Sequence, residues 1–267
     1  MTIDILICTI DEGILNVPNV LLRPAEGIRY VVSMQYTKES VLRQIPSELQ
    51  QRDDVMLLQL EGRGLSRNRN NSLDHATADI LVIADDDEEL SLEALQRVRK
   101  VYKEHPEVDI ALFRLNDIEG RPFKEYPSDE PQAYADAVDD GYYVASLEIT
   151  MRGSVAEEGL RFNERFGLGS GWLLSGEEDI FIHDALTRGM NVTLFPYDIA
   201  RTIAVTTGDR FLTDKGVQRA KGAVFAYCYG KASALWRITK EAVHHFIFNH
   251  RNPLPLFYHM FQGWRSV

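Results

Sequence analysis

Three consecutive carboxylates follow a short apolar segment in the first half of the chain. Asp85, Asp86 and Asp87 come directly after residues 80–84 (ILVIA), which read as a buried strand. Like charges crowded at a strand end repel one another, and a bound cation relieves that repulsion. Asp85 and Asp87 have D-x-D spacing, so one can contact a metal ion while the other contacts the ribose or sugar of a nucleotide. Such hard oxygen ligands suit Mg²⁺ or Mn²⁺, shared with a diphosphate.

The acidic run has two other interpretations. The acids could cap the helix predicted to begin near Ser91, because negative charge is stabilised at a helix start. A calcium-binding loop is disfavoured, since the sixth position counted from Asp85 is Leu90, where such loops need glycine.

A second group of acids opens a helix that we predict over residues 176–188, ended by Gly189. Glu177, Glu178 and Asp179 lie at its start, where a carboxylate stays ionised and can take a proton from a hydroxyl group. Ser175 and Glu178 also have the S-x-x-E spacing of a capping box, in which Glu178 would only bond the backbone.

The segment before these acids is rich in glycine (FGLGSGW). Gly171 would let the backbone pass close to a substrate, and Trp172 offers a flat apolar face to a sugar ring or a lipid. We therefore expect a ligand-binding surface here.

Strand-like and helix-like segments alternate over the first 115 residues. The predicted strands are 3–10, 30–34, 55–60, 80–84 and 110–115. The predicted helices are 38–51, 66–76 and 91–104. This alternation predicts an α/β fold with a mainly parallel central sheet flanked by helices, and ligands at the carboxyl ends of its strands.

The stretch RGLSRNRNNSLDHATADILVIADDDEEL resembles the nucleotide-binding half of family 2 glycosyltransferases with the GT-A, Rossmann-like fold. Those enzymes show a G-L-S-x-x-R-N-like helix start, then a strand, then D-x-D-D. The matching positions here are Gly64, Leu65, Ser66, Arg69, Asn70, Asp85 and Asp87. The chain departs from the pattern at Asn68, where a small residue is usual, and at Ser72, where glycine is usual.

The resemblance implies roles for residues around the nucleotide. Thr9 and Asp11, in the first strand and the loop after it, would contact the base or ribose. Gln35 stands where the family often has an acidic residue that contacts the base. Asp86 would also face the nucleotide sugar, and Arg69 would supply positive charge to the diphosphate leaving group.

The resemblance also identifies the acids of the second group with the family's E-D motif. Counting back from Gly189 favours Glu178 as the catalytic base, with Asp179 as the alternative, and places Glu177 with Gly171 and Trp172 at the acceptor. Many members carry a metal-binding histidine after this helix, but Thr202 stands near that position here.

These features predict a metal-dependent, inverting glycosyltransferase that uses Mn²⁺ or Mg²⁺. A UDP-sugar is the donor that the resemblance favours, and a glycan or lipid-linked glycan of cell-surface polysaccharide assembly is the acceptor. A nucleotidylyltransferase is an alternative, although ICTIDEGILNV lacks the Gly-rich basic loop expected after its first strand. A non-catalytic nucleotide-sugar-binding protein is a second alternative, which the missing histidine leaves open.

We predict three regions: a nucleotide-sugar-binding half over 1–115, an acceptor-binding half of the same domain over 116–230, and a helical extension over 231–267. Residues 117–140 read as a long surface loop. The extension holds five Lys or Arg residues against one acid, with seven aromatic residues that are Phe, Tyr or Trp. It could rest on an anionic membrane surface, or pack on the sheet or on a partner subunit.

Charge and cysteine content narrow the class of protein. The net charge of −11 would repel a free nucleic acid, although a metal-bound nucleotide could still bind locally. Cys8 and Cys228 lie in apolar surroundings and read as two buried thiols of a reducing compartment. No secretory signal and no long apolar run is visible, so we expect a cytoplasmic protein, free or peripheral at the inner face of the cell membrane.

Overall fold

The computed structural model describes residues 1–137, 142–202, 207–250 and 252–267. The chain divides into two compact units. The first unit comprises Met1–Arg63, Arg67–Arg161 and Asp184–Ala204, and the second comprises Gly64–Ser66, Phe162–His183 and Val205–Val267.

The first unit contains one nine-stranded sheet. Its strands are β1 (Ile3–Ile10), β2 (Ile28–Tyr36), β3 (Val55–Glu61), β4 (Ile80–Asp85), β5 (Glu88–Leu90), β6 (Ile110–Asp117), β7 (Gln132–Ala133), β8 (Ile149–Arg152) and β9 (Val192–Thr202). They are ordered β3-β2-β1-β4-β8-β6-β9-β5, and β7 pairs with β9.

Parallel pairing dominates one half of this sheet. Strand β1 pairs in parallel with β2 and with β4, and β2 pairs in parallel with β3. The chain moves from β1 outward to β3 and then returns to the other side of β1, so the topology switches between β1 and β4. Ligands of open α/β sheets bind beside the carboxyl ends of strands at such a switch point. The predicted fold class is confirmed.

Continuous apolar sequence explains the central strands. In β1, every residue from Ile3 to Thr9 is buried, as expected for a strand covered on both faces. Strand β4 is buried over residues 80–84 and reaches the surface only at Asp85.

The helices are α1 (Val17–Val20), α2 (Ser47–Gln51), α3 (Leu65–His75), α4 (Leu92–Glu104), α5 (Tyr134–Ala137), α6 (Gly153–Glu157), α7 (Glu177–Thr187), α8 (Lys215–Tyr229), α9 (Lys231–Asn249) and α10 (Pro253–Arg265). Short 3₁₀ turns cover Asp11–Leu15, Glu39–Gln44, Ser146–Glu148 and Thr207–Arg210.

The single helix predicted over 38–51 is wrong. The segment forms the 3₁₀ turn Glu39–Gln44 and then the short helix α2, and Ile45 between them has an extended ψ of 121°. Proline at position 46 disfavours helical backbone at the preceding residue, which explains the break.

The acidic run does not cap α4. The N-cap of this helix is Ser91, whose hydroxyl oxygen accepts a hydrogen bond from the backbone N–H of Ala94 at 3.1 Å. Strand β5 lies between the acids and the helix, so the capping interpretation of Asp85–Asp87 is wrong.

The predicted loop 117–140 contains two short elements, β7 and α5, besides its irregular backbone. Two backbone bonds close its first turn, from the N–H of Asp117 to the carbonyl of Arg121 and from Gly120 to Asp117. Residues 138–140 of this prediction lie outside the described residues.

Helices α8, α9 and α10 pack together in the second unit. Gly222 of α8 faces the backbone of Met260, and Gly263 of α10 faces the backbone of Arg219, leaving no space for a Cβ atom at either glycine. The predicted extension is therefore helical and packs on α8. In the described part of the chain, no helix is long and apolar enough to cross a membrane.

Candidate functional site

The carboxyl ends of β1 and β4 bring predicted nucleotide-binding residues together. The Thr9 hydroxyl donates a hydrogen bond to Oδ2 of Asp86. Gly13, in the 3₁₀ turn after β1, lies against this pair, and a Cβ there would be 2.5 Å from Thr9 Oγ1. Burial raises the pKa of Asp86, and the Thr9 bond opposes that shift. Gly13 was not predicted from the sequence, and its lack of a side chain makes room for Thr9 and Asp86.

A buried arginine faces the first acid of the run. Arg69 is only 1% exposed, and its Nη2 lies 3.8 Å from Oδ1 of Asp85. Cys8 pairs with Asp85 across the two strands, and burial raises the pKa of its thiol to about 12. The thiol therefore stays neutral, while Arg69 places a positive charge beside the strand end where the resemblance puts a diphosphate.

The residue that follows the acidic run is a buried glutamate. Asp87 is exposed, whereas Glu88 is 1% exposed, and neither of its carboxyl oxygens has a hydrogen-bond partner of good geometry among the described residues. Burial first, and then the charges of Asp85 and Asp87, hold the pKa of Glu88 well above its ordinary value. Sequence reasoning missed Glu88 because an acid in an acidic run reads as solvent-exposed.

We expect Glu88→Gln to be more stable than wild type at pH 8 and similar at pH 4. In the unfolded chain the carboxyl ionises above its ordinary pKa of 4.5, whereas in the folded chain it stays protonated to higher pH. Wild-type stability therefore falls as pH rises from about 4.5 to the raised pKa, by about 1.4 kcal/mol for each pH unit that separates the folded and unfolded pKa values. Urea unfolding in EDTA measures the difference.

The exposed neighbour Glu89 provides the control for this prediction, because Glu89→Gln removes a similar charge from solvent. A stability difference between Glu88→Gln and wild type that stays constant from pH 4 to pH 8 would contradict the expected titration.

A buried polar network lies beneath the nucleotide-binding residues. The Asn68 side-chain amide donates to the carbonyl oxygens of Thr9 and Ser33, each at 3.0 Å, and its Oδ1 accepts from the Ser33 hydroxyl at 2.6 Å. Asn71 also donates to Ser33 Oγ at 2.7 Å. The side chain of Asn68, which departs from the family pattern, thus links α3 to β1 and β2.

Ser72, the second departure from the family pattern, also contacts the residues around it. The Ser72 hydroxyl is fully buried, donates to the carbonyl of Arg69 at 2.8 Å, and lies 3.9 Å from the Cys8 sulfur. The partner of Asn68 is Ser33, and the partner of Ser72 is Cys8. All four residues are visible in the sequence, but only the register of the sheet brings each pair into contact.

We expect Asn68→Ala to lower the free energy of unfolding by about 2–4 kcal/mol, because it removes three hydrogen bonds of a buried polar network. Urea unfolding measures this change. Asn19→Ala, at an exposed position in α1, should change stability by less than about 0.5 kcal/mol. Equal effects of the two substitutions would show that the network does not stabilise the fold.

Asp11 and Gln35 lie in different environments. Asp11 has a φ of 50°, and its Oδ1 accepts a hydrogen bond from the backbone N–H of Thr37 at 2.7 Å, so it joins the ends of β1 and β2. Gln35 is 1% exposed, and its Nε2 finds no acceptor in the described part of the chain. That amide is a buried hydrogen-bond donor.

Thr202, near the position of the family's metal-binding histidine, is buried at the end of β9. It pairs with Glu88 in the antiparallel register of β5 and β9, and with Asp117 in the parallel register of β6 and β9. The sheet thus places a threonine and a buried carboxyl side by side where many members have a histidine.

The acids of this edge fit a cation that is shared with a ligand. Asp87 is exposed, and Asp85 is partly exposed beside Arg69. Among residues 1–137, 142–202, 207–250 and 252–267, no group of three or more His, Cys, Asp or Glu side chains is arranged to hold a metal ion by itself. Mg²⁺ commonly takes only one or two carboxylates from the protein and its other ligands from phosphate and water, which suits this arrangement.

In the second unit, α7 begins at Glu177. The carbonyl of Gly176 accepts from the N–H of Ile180 at 3.2 Å, so Gly176 is the N-cap residue. The helix thus begins one residue later than a capping box with Ser175 as N-cap would place it. Glu178 lies in the first turn, with part of its side chain exposed.

The other two acids of this turn differ in exposure. Glu177 is 5% exposed, and its carboxylate lies so close to Gly167 that a Cβ there would be 2.9 Å from Glu177 Cδ. Asp179 is partly exposed, like Glu178. The two partly exposed acids are thus open to solvent or substrate, while Glu177 packs against the glycine-rich segment.

Trp172 presents a ring at the surface of the second unit. It is 44% exposed, and the Arg219 guanidinium lies 3.8 Å from its ring centroid and donates to its carbonyl oxygen at 3.3 Å. Gly171 has a φ of +85°, which side chains disfavour. Arg219 thus covers one face of the indole and holds it in place.

Comparisons with known proteins agree with this arrangement. Residues 28–152 match the model of glycosyl transferase family 2. No curated protein matches the sequence. The resemblance seen in the motifs is thereby confirmed.

Solved structures show the same fold at low sequence identity. The crystal structure of TarS 1-349 from S. aureus has a TM-score of 0.63 at 16% identity, covering 93% of this chain and 72% of that chain. Its complex with UDP-GlcNAc gives 0.61 at 16% identity, covering 93% and 73%. The longer TarS structure gives 0.62 at 18% identity, and this chain covers 44% of it. The fold is GT-A.

Proposed function

We propose that this chain moves a sugar from a nucleotide-diphosphate sugar to an acceptor hydroxyl, with inversion and with Mn²⁺ or Mg²⁺, because residues 28–152 match the model of glycosyl transferase family 2. The observation that carries the proposal is the juxtaposition of Asp85 and the buried Arg69 at the topological switch point. This edge offers both a cation ligand and a fixed positive charge to a diphosphate.

A UDP-sugar is the proposed donor. TarS was crystallised with UDP and with UDP-GlcNAc, which supports this nucleotide for a chain of the same fold. Thr9, Asp11 and the donor amide of Gln35 lie in β1, the turn after it and β2, and they would bind the base and ribose. Asp86 is held by Thr9 and would complete this surface.

Glu178 is the proposed general base, with Asp179 as its alternative. An acceptor hydroxyl has too high a pKa to attack unaided, so a carboxylate within hydrogen-bond reach must remove its proton as the new bond forms. The oxygen attacks the anomeric carbon from the face opposite the diphosphate, and the bond to the diphosphate breaks, which inverts that centre.

Negative charge grows on the departing diphosphate as this bond breaks. Arg69 would hold the diphosphate, and Asp87 with Asp85 would hold the cation. When bound, the cation supplies Lewis-acid neutralisation of the leaving group. Gly171, Trp172 and Glu177 would position the acceptor.

The proposed acceptor is a glycan or lipid-linked glycan of cell-surface polysaccharide assembly. Such an acceptor would be met in the cytoplasm, at the inner face of the membrane. The exposed aromatic platform of Trp172 supports a sugar or lipid ligand for the second unit.

The test is to measure release of the nucleoside diphosphate from a panel of UDP-, GDP- and dTDP-sugars, with Mn²⁺, with Mg²⁺ and with EDTA. We expect release from a UDP-sugar that needs the cation and rises with a glycan acceptor. A chain that binds the sugars without turning them over would be a binding protein, and the proposal would fail.

A further inference from the structure

Helix α9 is apolar on two opposite faces. Its inward face is buried and includes Ala234 and Ile238. Its outward face carries Trp236, Val243 and Ile247, which are 62%, 46% and 55% exposed. The spacing of seven and four residues places these three on one stripe of the helix, opposite the buried face.

Further apolar side chains are exposed near the end of α9 and in the first two turns of α10. Phe246 and Phe248 are 56% and 67% exposed, and Leu254 and Tyr258 are 73% and 56% exposed. We call these residues and the α9 stripe the C-terminal apolar surface: Trp236, Val243, Phe246, Ile247, Phe248, Leu254 and Tyr258. Phe246 and Phe248 are two positions apart on the helix, so they flank the α9 stripe on its two sides. Clustered exposed apolar side chains, unlike single ones, are typical of an interaction surface.

The charge of this part of the chain is opposite to that of the rest. Residues 205–267 contain nine Lys and Arg against three Asp and Glu, a net charge of +6. Residues 1–204 contain 20 Lys and Arg against 37 Asp and Glu, a net charge of −17. The apolar surface therefore lies in a basic segment of an acidic protein.

A basic side chain stands within the apolar stripe itself. Lys240 is exposed, and its Nζ lies 5.5 Å from the ring centroid of Trp236. A lysine can extend its ammonium group to phosphates while its methylene stem and the neighbouring rings enter the acyl boundary. This combination is complementary to an anionic lipid surface, whereas a second copy would bring two positively charged segments together.

We propose that the C-terminal apolar surface binds peripherally to an anionic membrane, with its apolar side chains at the acyl boundary and Lys240 at the lipid phosphates. The second unit, which carries Trp172 and Glu178, would thereby be held at a lipid-linked acceptor. This last consequence rests on the proposed function, but the membrane binding does not.

Co-sedimentation of the full chain with lipid vesicles tests the proposal. We expect binding to vesicles of phosphatidylcholine with phosphatidylglycerol, weaker binding to phosphatidylcholine alone, and loss of binding in high salt. Ile247→Ser and Lys240→Glu should each weaken binding to the anionic vesicles by about tenfold or more.

Two matched controls lie outside the surface. Ile118→Ser removes an isoleucine that is 60% exposed, and Lys100→Glu reverses a lysine whose side chain is 70% exposed. Both should bind vesicles like wild type. Circular dichroism checks that all four variants are folded.

Equal vesicle binding by all variants, or no binding by wild type, would overturn the proposal. A wild-type dimer in sedimentation equilibrium that Ile247→Ser dissociates, without vesicle binding, would assign the surface to a second copy and also overturn it. Nucleotide-sugar turnover is measured separately, with a soluble acceptor, and does not depend on any of these results. Failure of this inference is therefore distinguishable from failure of the proposed function.

Discussion

Replacing Glu178 with glutamine should lower the rate constant of sugar transfer by about 10²–10⁴-fold and leave donor affinity unchanged. The amide keeps the size of the side chain but cannot accept the proton of the acceptor hydroxyl, and general base catalysis contributes about this factor. Single-turnover measurements with saturating UDP-sugar and acceptor give the rate, and calorimetric titration with UDP gives the affinity.

Two further substitutions make this result specific. Asp179→Asn tests the alternative base in the same helical turn, and Glu157→Gln changes an exposed acid in α6 and should have no effect. Normal transfer by Glu178→Gln together with a large loss in Asp179→Asn would move the role to Asp179. Normal transfer by both would end the assignment of a base to this helix.

Asp87→Ala is expected to lower kcat/KM for transfer by about 10²–10³-fold, because it removes the exposed carboxylate proposed to hold the cation at the diphosphate. The concentration of Mn²⁺ needed for half-maximal rate should rise at the same time. Initial rates over a Mn²⁺ titration measure both quantities.

Glu89→Ala is the matched control for Asp87→Ala, since Glu89 is an exposed acid two residues further along the chain. It should leave both the rate and the Mn²⁺ requirement unchanged. If the two substitutions have the same small effect, the acidic run contributes only general negative charge and the assignment of Asp87 is wrong.

Strands β1, β2, β3, β4 and β6 were predicted from the sequence because continuous apolar residues mark them, whereas β5, β7, β8 and β9 were not predicted. Strand β1 has the predicted bounds, and β4 extends the predicted segment by one residue, Asp85. Such strands are covered on both faces, so apolar residues are continuous and the first carboxylate marks the end. The helix predicted over 38–51 is interrupted because Pro46 disfavours helical backbone at Ile45.

The polar residues that support the site were harder to predict. Asn68 and Ser33 are 35 residues apart, and Glu88 and Thr202 are further apart still, so their contacts depend on strand register. Glu88 shows the difficulty most clearly, because its burial follows from the pairing of β5 with β9 and leaves no mark in its own segment. The acids Asp85 and Asp86, in contrast, were predicted from their place at the end of an apolar strand, and Arg69 was predicted from the resemblance to the family motif.

The burial of Cys228 also differs from the prediction, although by less. Neither cysteine forms a disulfide, as expected, and Cys8 is buried, but Cys228 is only partly buried. It lies near the end of α8, just before Gly230, where the helix packing no longer covers every face. The apolar sequence around Cys228 predicted more burial than the end of a helix provides.

Binding of UDP in the presence and absence of Mn²⁺ tests most directly whether the edge formed by Asp85, Asp87 and Arg69 holds a cation and a diphosphate. Calorimetric titration should show that Mn²⁺ strengthens UDP binding to wild type by about tenfold or more, and that Asp87→Ala loses this gain. Equal UDP affinity in Mn²⁺ and in EDTA, or a full Mn²⁺ effect in Asp87→Ala, would contradict the account.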